Sequence, residues 1–413
     1  MTFDHFNPYE LTEATQQCPY DLYAQMRAQD GLVPSQECNG FYAVTRYDDV
    51  REILLDGVNF GVSEGIGLLG PIGFIMPESD GALHHRYRRI VNPWFRRGAV
   101  EAREADVRAV AGRLLDTLWG RREVEFVTEV CRPLIGLVNS KIVLTVDDEH
   151  FDAVQEMIGD VIYDLNKARE ALKSIKRFAS ADIARRRNEP PRGDALDDVI
   201  HDASGDALSN DEVLQVYMSL LFGAFDTTAN TLAVAFAYLA QHPDARAFLR
   251  EDHLRIPTAI EEFVRWDPTS QGMARTVRHD ITIGGQPLRQ GDRLFVCNAA
   301  ANRDAEQFLD ADRVQMSRKP NPHLGFGAGP HRCVGVHLAN LLMRVAVEEV
   351  LQRWPLLSLV PGTQLQYKTT QMRAMVSLPI VLSPDASSSP SQEEVALESP
   401  QRSSLPGPLH RDE

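Results

Sequence analysis

The segment that most constrains this chain is residues 326–335, Phe-Gly-Ala-Gly-Pro-His-Arg-Cys-Val-Gly, which directly precedes an apolar helix pattern at 338–354. Its glycines let the backbone turn tightly and bring amide N–H groups close to one side chain. Cys333 lies near the predicted helix N-terminus beside His331 and Arg332, and the helix dipole and both neighbours favour the thiolate. The segment therefore predicts an anionic sulfur, which suits either a nucleophile or a soft metal ligand.

The remaining sequence predicts one mainly helical domain with small β-sheets. Ser209 and Glu212 have the spacing of a capping box before a long apolar run. Residues 1–383 contain no Gly/Ser linker, so they are predicted to form a single domain. The last 30 residues, 384–413, hold seven Ser, five Pro and no aromatic residue, which predicts a disordered tail. Four short β-branched or apolar runs predict strands: 41–44, 281–283, 294–297 and 375–381.

Charge and cysteine content exclude several classes of protein. A net charge of −15 argues against a nucleic-acid partner, which requires a positive field. Five dispersed cysteines without a CxxC pair exclude a disulfide scaffold and predict a reducing, cytoplasmic location. The start of the chain shows no signal peptide or membrane anchor. The apolar region 216–240 is interrupted by polar residues from Asp226 onward, so it predicts a buried helix and not a membrane span.

Two polar patterns in the predicted helices contain candidate functional residues. Asp226 and Thr227 stand together inside the apolar run, where an acid is costly unless it is satisfied or used. A Thr hydroxyl at such a place bonds back to the carbonyl four residues earlier and bends the helix. His84 and Arg88 are four residues apart, so both reach one anionic partner from the same helix face.

These patterns together resemble the cytochrome P450 superfamily. Residues 326–335 resemble its haem-ligand loop, and residues 223–228 resemble its oxygen-activating segment. His84–Arg88 and Glu262–Arg265 resemble its H-x-x-x-R and E-x-x-R motifs, and all four occur in the family's order. The resemblance implies a cytochrome P450 catalytic domain over residues 1–383. Its fold is then mainly α with small β-sheets, with haem between the oxygen-activating helix and the helix after the cysteine loop.

The resemblance also assigns roles to the residues of these motifs. It implies that Cys333 is the axial ligand of haem b iron, that Thr227 hydrogen-bonds the co-substrate O2, and that Asp226 helps to relay protons. Ala224 stands where a second glycine is common, and its methyl group narrows the space above the haem. The other residues implied to bind haem or its propionates are His84, Arg88, Arg275, Phe326, Gly327 and His331.

The E-x-x-R pair is implied to be structural. Glu262 and Arg265 share a helix face and pair with each other. In the family a downstream arginine completes this buried network, and Arg313 is the expected third member.

An apolar pocket is implied on the substrate side. Residues 61–80 are rich in apolar side chains and carry no Lys or Arg. The expected lining contains one amide, that of Gln271, and is otherwise apolar. It therefore favours a largely hydrophobic substrate such as a terpenoid, steroid, polyketide or aromatic compound. A substrate held by a carboxylate is not expected, because the predicted lining contains no cation. The expected pocket residues are Leu68, Leu69, Ile72, Phe74, Phe222, Phe225, Gln271 and Met273.

An electron donor must be a separate protein, because no flavin or nicotinamide domain fits in the chain and no GxGxxG follows a strand. Residues 84–97 hold five arginines and no acid. A positive surface on the thiolate side would steer an acidic ferredoxin toward the iron. The arginines expected to form that surface are Arg86, Arg89, Arg96, Arg97, Arg332 and Arg344.

The sequence thus predicts a haem-thiolate monooxygenase that inserts one oxygen atom into its substrate. Two alternatives stay open. The same chemistry supports desaturation, coupling or another oxidation, and a haem sensor without catalysis would also need Cys333. A cysteine hydrolase is a weaker alternative, because only His331 lies near Cys333 in sequence as a base.

Overall fold

The computed structural model describes residues 3–144, 146–164, 166–201 and 207–383, so the predicted disordered tail 384–413 lies outside the described residues. Helices dominate this part of the chain. The first ten are α1 (Glu13–Gln17), α2 (Tyr20–Arg27), α3 (Tyr47–Leu55), α4 (Gly81–Phe95), α5 (Arg97–Glu101), α6 (Glu104–Asp116), α7 (Arg132–Ile142), α8 (Asp148–Tyr163), α9 (Ala168–Arg186) and α10 (Ala195–Ile200). The others are α11 (Asn210–Phe225), α12 (Thr227–Gln241), α13 (Pro243–Glu251), α14 (Ile256–Trp266), α15 (Asn298–Ala301) and α16 (Val336–Arg353).

The strands form small sheets, as the sequence predicts. The largest described sheet has the order β1-β2-β8-β5-β3, with β2 and β8 parallel and the other pairs antiparallel. The predicted run 375–381 divides at Leu378 between two strands that join different sheets. The strands are β1 (Val33–Ser35), β2 (Phe41–Val44), β3 (Phe60–Gly61), β4 (Glu123–Glu125), β5 (Met273–Val277), β6 (Ile281–Ile283), β7 (Gln286–Leu288), β8 (Arg293–Val296), β9 (Ser358–Leu359), β10 (Gln366–Thr369), β11 (Arg373–Ser377) and β12 (Pro379–Val381).

The capping box predicted at Ser209 is present. The Glu212 amide donates to Ser209 Oγ at 3.3 Å, and the Ser209 amide donates to Glu212 Oε2 at 2.8 Å. Residues 210–241 are long and apolar enough to cross a membrane, but 78% of their most apolar window is buried inside the protein. They form two core helices, α11 and α12, because the helix breaks at Asp226.

The core is centred on α11, α12 and α16. The apolar stripe predicted on α16 is buried at Leu338, Leu342, Ala346 and Val350, and Trp354 after the helix end is 1% exposed. α16 packs on α6, α14 and α12, so it fixes the loop that precedes it against most of the helical core.

The buried network around the E-x-x-R pair corrects one prediction. Glu262 and Arg265 are fully buried, and Arg265 donates two hydrogen bonds of 2.8 Å to the Glu262 carboxylate. The third member is Arg318, whose Nε donates to Glu262 Oε2 at 3.0 Å. Arg313 is exposed, and only its backbone carbonyl takes part, accepting from Arg265. The prediction that Arg313 completes the network is therefore wrong.

Candidate active site

The cysteine loop is a tight turn that ends at α16. The Cys333 amide donates to the Phe326 carbonyl at 2.9 Å, and the Arg332 amide donates to the Gly329 carbonyl at 3.1 Å. Gly329 has φ +66°, and a Cβ there would lie 2.2 Å from the Leu54 carbonyl oxygen. This position therefore requires glycine on grounds of both backbone conformation and space.

Cys333 lines a cavity inside the protein, and its thiol is accessible from that cavity. Burial raises the pKa of this thiol, while the Gly335 N–H, Arg88 and Arg332 act in the opposite direction. The predicted electrostatic effects are thus present, but burial outweighs them. Arg332 and a backbone N–H thus act as the sequence predicts, and burial acts against them.

One cavity of about 730 Å³ joins the cysteine loop to α11 and α12. Its size lies within the ~300–1,000 Å³ usual for small-molecule sites. It brings together residues from four separate sequence motifs. The predicted site residues that line it are Leu69, Ile72, Phe74, His84, Arg88, Phe222, Ala224, Thr227, Met273, Arg275, Phe326, Gly327, His331 and Cys333.

Four predicted site residues lie outside the cavity lining. Leu68 is buried in the cluster formed by the N-terminal segment and β-strands. Phe225 is fully buried and faces Phe151, with ring centroids 6.0 Å apart. Gln271 is fully buried, and its amide donates to the Pro268 carbonyl at 2.7 Å while its oxygen accepts from Tyr23. The prediction that these three residues line the substrate pocket is therefore wrong. The fourth residue, Asp226, directly precedes Thr227 and is buried.

The break between α11 and α12 places Thr227 on the cavity. Asp226 has φ −119° and interrupts the helix, and the Thr227 hydroxyl donates to the Gly223 carbonyl at 3.2 Å. The Asp226 carboxylate is buried and accepts from Asn230 Nδ2 at 2.8 Å. A helix with an acid and an alcohol at its bend is what residues 223–228 predict.

A cationic wall, formed by Arg88 and Arg275 together with His84 and His331, lies on the same side of the cavity as the cysteine loop. The His84 and His331 rings lie 4.2 Å apart, and burial together with His331 and Arg88 lowers the pKa of His84 to about 4. Arg88 donates to the Arg332 carbonyl at 3.0 Å, which ties α4 to the loop. Burial lowers the pKa of Arg275 to about 10.

The wall fits an anionic group that is bound in the cavity. Arg275 is 5% exposed, donates to the Ala274 carbonyl, and has no carboxylate partner in the described part of the chain. His331 Nδ1 is buried without a hydrogen-bond partner in the structure, while Nε2 lies 3.6 Å from Asp80. Buried cations and polar atoms are costly when unpaired, so the wall provides a place for two or more anionic oxygens.

Two acids organise the segment 61–80 instead of lining the cavity. Asp80 accepts from the Val62 and Ser63 amides at 3.0 Å each and pairs with Arg278. Burial opposes ionisation, but the bond to His331, these amides and Arg278 lower the pKa of Asp80 to about 2. Glu78 accepts from four backbone amides of residues 66–74.

Several cavity residues were not predicted from the sequence. The Tyr9 hydroxyl donates to Gln371 at 2.8 Å and accepts from the Leu68 amide at 3.0 Å, and both side chains line the cavity. Arg169 of α9 also lines it, so the expectation of a substrate lining without a cation is wrong. None of these residues belongs to a recognisable local motif, and only the fold brings them to the cavity.

The predicted arginine surface is smaller than expected. Arg86 is bound to Glu212 at 2.5 Å, and Arg344 is bound to Glu104 and Glu348, so these two are engaged within the protein. Arg97 and Arg332 both lie near His337, at the start of α16. The remaining four predicted arginines are exposed and form a basic surface: Arg89, Arg96, Arg97 and Arg332.

Comparison with known proteins identifies the class. The family model for cytochrome P450 matches residues 124–257 and 255–382. Cytochrome P450 107B1 of Saccharopolyspora erythraea is 31% identical over 392 residues, covering 89% of this chain and 96% of that protein. The mycinamicin IV hydroxylase/epoxidase of Micromonospora griseorubida is 31% identical, covering 82% of this chain and 89% of its own length.

A solved structure gives the same result. The tirandamycin C-bound P450 monooxygenase TamI superposes with a TM-score of 0.82 at 25% identity, covering 91% of this chain and all of that one. The chain belongs to the cytochrome P450 family. It is an oxidoreductase of the monooxygenase type, and its family uses a haem-iron cofactor, O2 and a redox partner.

Proposed function

We propose that this P450 inserts one oxygen atom from O2 into a largely apolar small molecule bound between α11/α12 and residues 66–77. The observation that carries this proposal is the single cavity that joins Cys333 to Thr227 and continues into an apolar lining. Haem and substrate would share this cavity, and the apolar lining beyond Thr227 fits hydroxylation of a terpenoid, steroid, polyketide or aromatic compound. A relative named mycinamicin IV hydroxylase/epoxidase and a similar structure with bound tirandamycin C support a bulky organic substrate.

The residues present fit haem b. Cys333 Sγ would hold the iron, and Arg275, Arg88, His84 and His331 would hold the two propionates. Ala224, Phe326 and Gly327 line the space between these groups. When bound, haem supplies the iron centre at which O2 is activated for transfer to the substrate.

The chain itself controls protons and water at this site. We assign to the Thr227 hydroxyl the role of holding a proton at the cavity for the activation of O2, for which it would leave the Gly223 carbonyl. Asp226, held by Asn230 behind the bend, is assigned the role of passing protons to this hydroxyl. Phe74 and Phe222 pack with ring centroids 4.4 Å apart and exclude water from the apolar side.

Electrons are proposed to come from a ferredoxin-type donor that binds at the basic surface. Arg332 of this surface adjoins Cys333, so a donor bound there approaches the iron ligand closely. An acidic partner is attracted by a local positive surface on a protein of net charge −15. The proposed location of the enzyme is the cytoplasm.

The experiment is reconstitution of the purified holoenzyme with a ferredoxin, its reductase and NADPH under ¹⁸O2, with a library of neutral apolar compounds. The expected result is a product that carries one labelled oxygen atom. Products that lack the label for every compound bound would overturn the proposal and favour desaturation or coupling. Cys333→Ser is the negative control, and exposed Cys18→Ser is the matched positive control.

Cys333→Ser also tests the iron ligand directly. The reduced, carbon-monoxide-treated parent and Cys18→Ser should show the strongly red-shifted Soret band of thiolate ligation, and Cys333→Ser should not. The same band in Cys333→Ser would remove the assignment of Cys333.

A further inference from the structure

The charges that line the cavity are unbalanced. Three arginines line it, and no Asp or Glu of the described chain does. Glu78 and Asp80, which follow the lining residue Pro77, are bound to backbone amides of residues 62–74. Because Arg88 and Arg275 are assigned to the haem propionates, Arg169 is the lining arginine left for an anionic group of the substrate.

Arg169 stands apart from the other two arginines. Arg88 and Arg275 belong to the cationic wall beside the cysteine loop, whereas Arg169 lies in the first turn of α9. Its side chain lines the cavity and is exposed, so it marks a place where the cavity meets solvent. It makes no ion pair with any residue in the described ranges.

Two more residues of α9 share this face. Leu172 and Lys176 follow Arg169 by three and seven positions, a spacing that puts all three on one side of the helix. Leu172 lines the cavity, and Lys176 Nζ lies 3.8 Å from where a Cβ of Gly73 would stand. The ammonium group therefore lies beside the loop that closes the apolar side of the cavity.

The neighbouring cations of α9 have partners on α9 itself. Lys173 is paired with Glu170 at 2.6 Å, and Arg177 donates to Ser174 at 3.1 Å. Both are exposed, and neither lines the cavity. The positive charge at the mouth of the cavity is therefore that of Arg169, with Lys176 beside the neighbouring loop.

We propose that Arg169, assisted by Lys176, binds the carboxylate end of an elongated substrate whose apolar body extends toward Thr227. This rests on the proposed function and narrows its substrate class from apolar molecules to apolar acids. A guanidinium binds a carboxylate through two parallel hydrogen bonds and fixes its direction as well as its charge. Anchoring at the mouth would then determine which carbon of the body lies near Thr227.

The test compares straight-chain carboxylic acids with primary alcohols of the same carbon number. Their Kd values for the holoenzyme are measured by the change in haem absorption and, independently, by equilibrium dialysis. We expect the parent to bind each acid about five- to tenfold more tightly than its alcohol, as for a partly exposed charge-assisted bond. Raising the salt concentration should reduce this preference, because screening weakens an ion pair that is open to solvent.

Three variants locate the effect. Arg169→Gln should lose most of the preference for the acid, with Lys176 supplying what remains, and Arg169→Lys should keep a larger part of it. Arg177→Gln is the matched control, since it removes an exposed arginine two turns along α9 and should behave as the parent. Equal binding of acid and alcohol by the parent, or an unchanged preference in Arg169→Gln, would overturn the proposal.

The outcomes separate this proposal from the function on which it rests. If the alcohols and neutral library compounds bind and are oxygenated without any preference for acids, Arg169 is a solvated surface charge and the monooxygenase proposal stands. If acids and alcohols both fail to bind, the carboxylate assignment is overturned. If no library compound is oxygenated either, the proposed function fails with it.

Discussion

The Thr227 hydroxyl donates a hydrogen bond to the Gly223 carbonyl at 3.2 Å, across the bend between α11 and α12. The Thr227 carbonyl in turn accepts from the Thr231 and Thr269 hydroxyls at 3.2 and 3.0 Å. The backbone at the bend is thus held by neighbouring side chains, and the Thr227 hydroxyl is free to change partner without loss of the bend.

Thr227→Ala should therefore keep the fold, haem and substrate binding but lose proton delivery. Proton transfer by a positioned side chain contributes roughly 10²–10⁴-fold to a rate, so oxygenated product per electron should fall by at least about tenfold. The electrons should appear as hydrogen peroxide. NADPH consumption, product and peroxide are measured together, with Thr227→Ser as the variant that keeps a hydroxyl. Tight coupling in Thr227→Ala would remove this role from Thr227.

The buried carboxylate of Glu262 predicts that replacing Arg318 lowers the unfolding free energy far more than replacing Arg313. Arg318 binds Glu262 in the interior, whereas the Arg313 side chain is exposed. Arg318→Ala leaves part of a buried negative charge without a partner, which costs about 3–5 kcal/mol of unfolding free energy. Arg313→Ala should change it by less than about 0.5 kcal/mol. Denaturant unfolding of both variants measures the difference, and similar losses would contradict the network.

Asp80 predicts a pH-dependent contribution to stability. Its pKa of about 2 lies below the ordinary 3.8, so the ionised carboxylate stabilises the folded protein above about pH 4 and this contribution is lost as pH falls through 2. The shift corresponds to about 2 kcal/mol. Asp80→Asn should be less stable by about this amount near pH 7.

The difference between Asp80→Asn and the parent should shrink steadily as the pH falls from about 5 toward 2. Urea unfolding at several pH values measures it, and Asp48→Asn, at an exposed acid of α3, is the control. If this difference in unfolding free energy stayed constant over the pH range, Asp80 would stabilise the fold through packing and not through its charge.

The parts of the site that follow from short-range patterns were predictable. The Ser209 capping box, the glycines of the cysteine loop and the bend at Asp226 depend on residues within a few positions of one another. They are determined by backbone preferences and local hydrogen bonds, which the sequence displays directly. For the same reason the mainly helical fold was predicted correctly.

The parts that depend on how elements pack were not predictable. Phe225, the last residue of α11, packs on Phe151 and not on the cavity, and Leu68 joins a different core cluster. Arg169 reaches the cavity only because α9 crosses it. Arg318 replaces Arg313 because the loop after α15 decides which arginine enters the core, and no periodicity marks that path.

The basic surface gives the last prediction. Arg96 and Arg97 are exposed at the junction of α4 and α5. Within the described chain these two arginines make one ion pair, a 3.9 Å contact between Arg97 and Glu101. Reversing both charges should repel an acidic donor. Arg96→Glu with Arg97→Glu should therefore raise the KM for ferredoxin about tenfold at low salt, with little change in kcat at saturation.

The control for this surface is Arg177→Glu, which reverses an exposed charge on α9 that belongs neither to the cavity lining nor to the basic surface. Its KM for ferredoxin should stay near that of the parent. Because the attraction acts between solvent-exposed charges, added salt should raise the parent's KM toward that of the double variant. Equal KM values for the parent and the double variant at low salt would place the donor on another face.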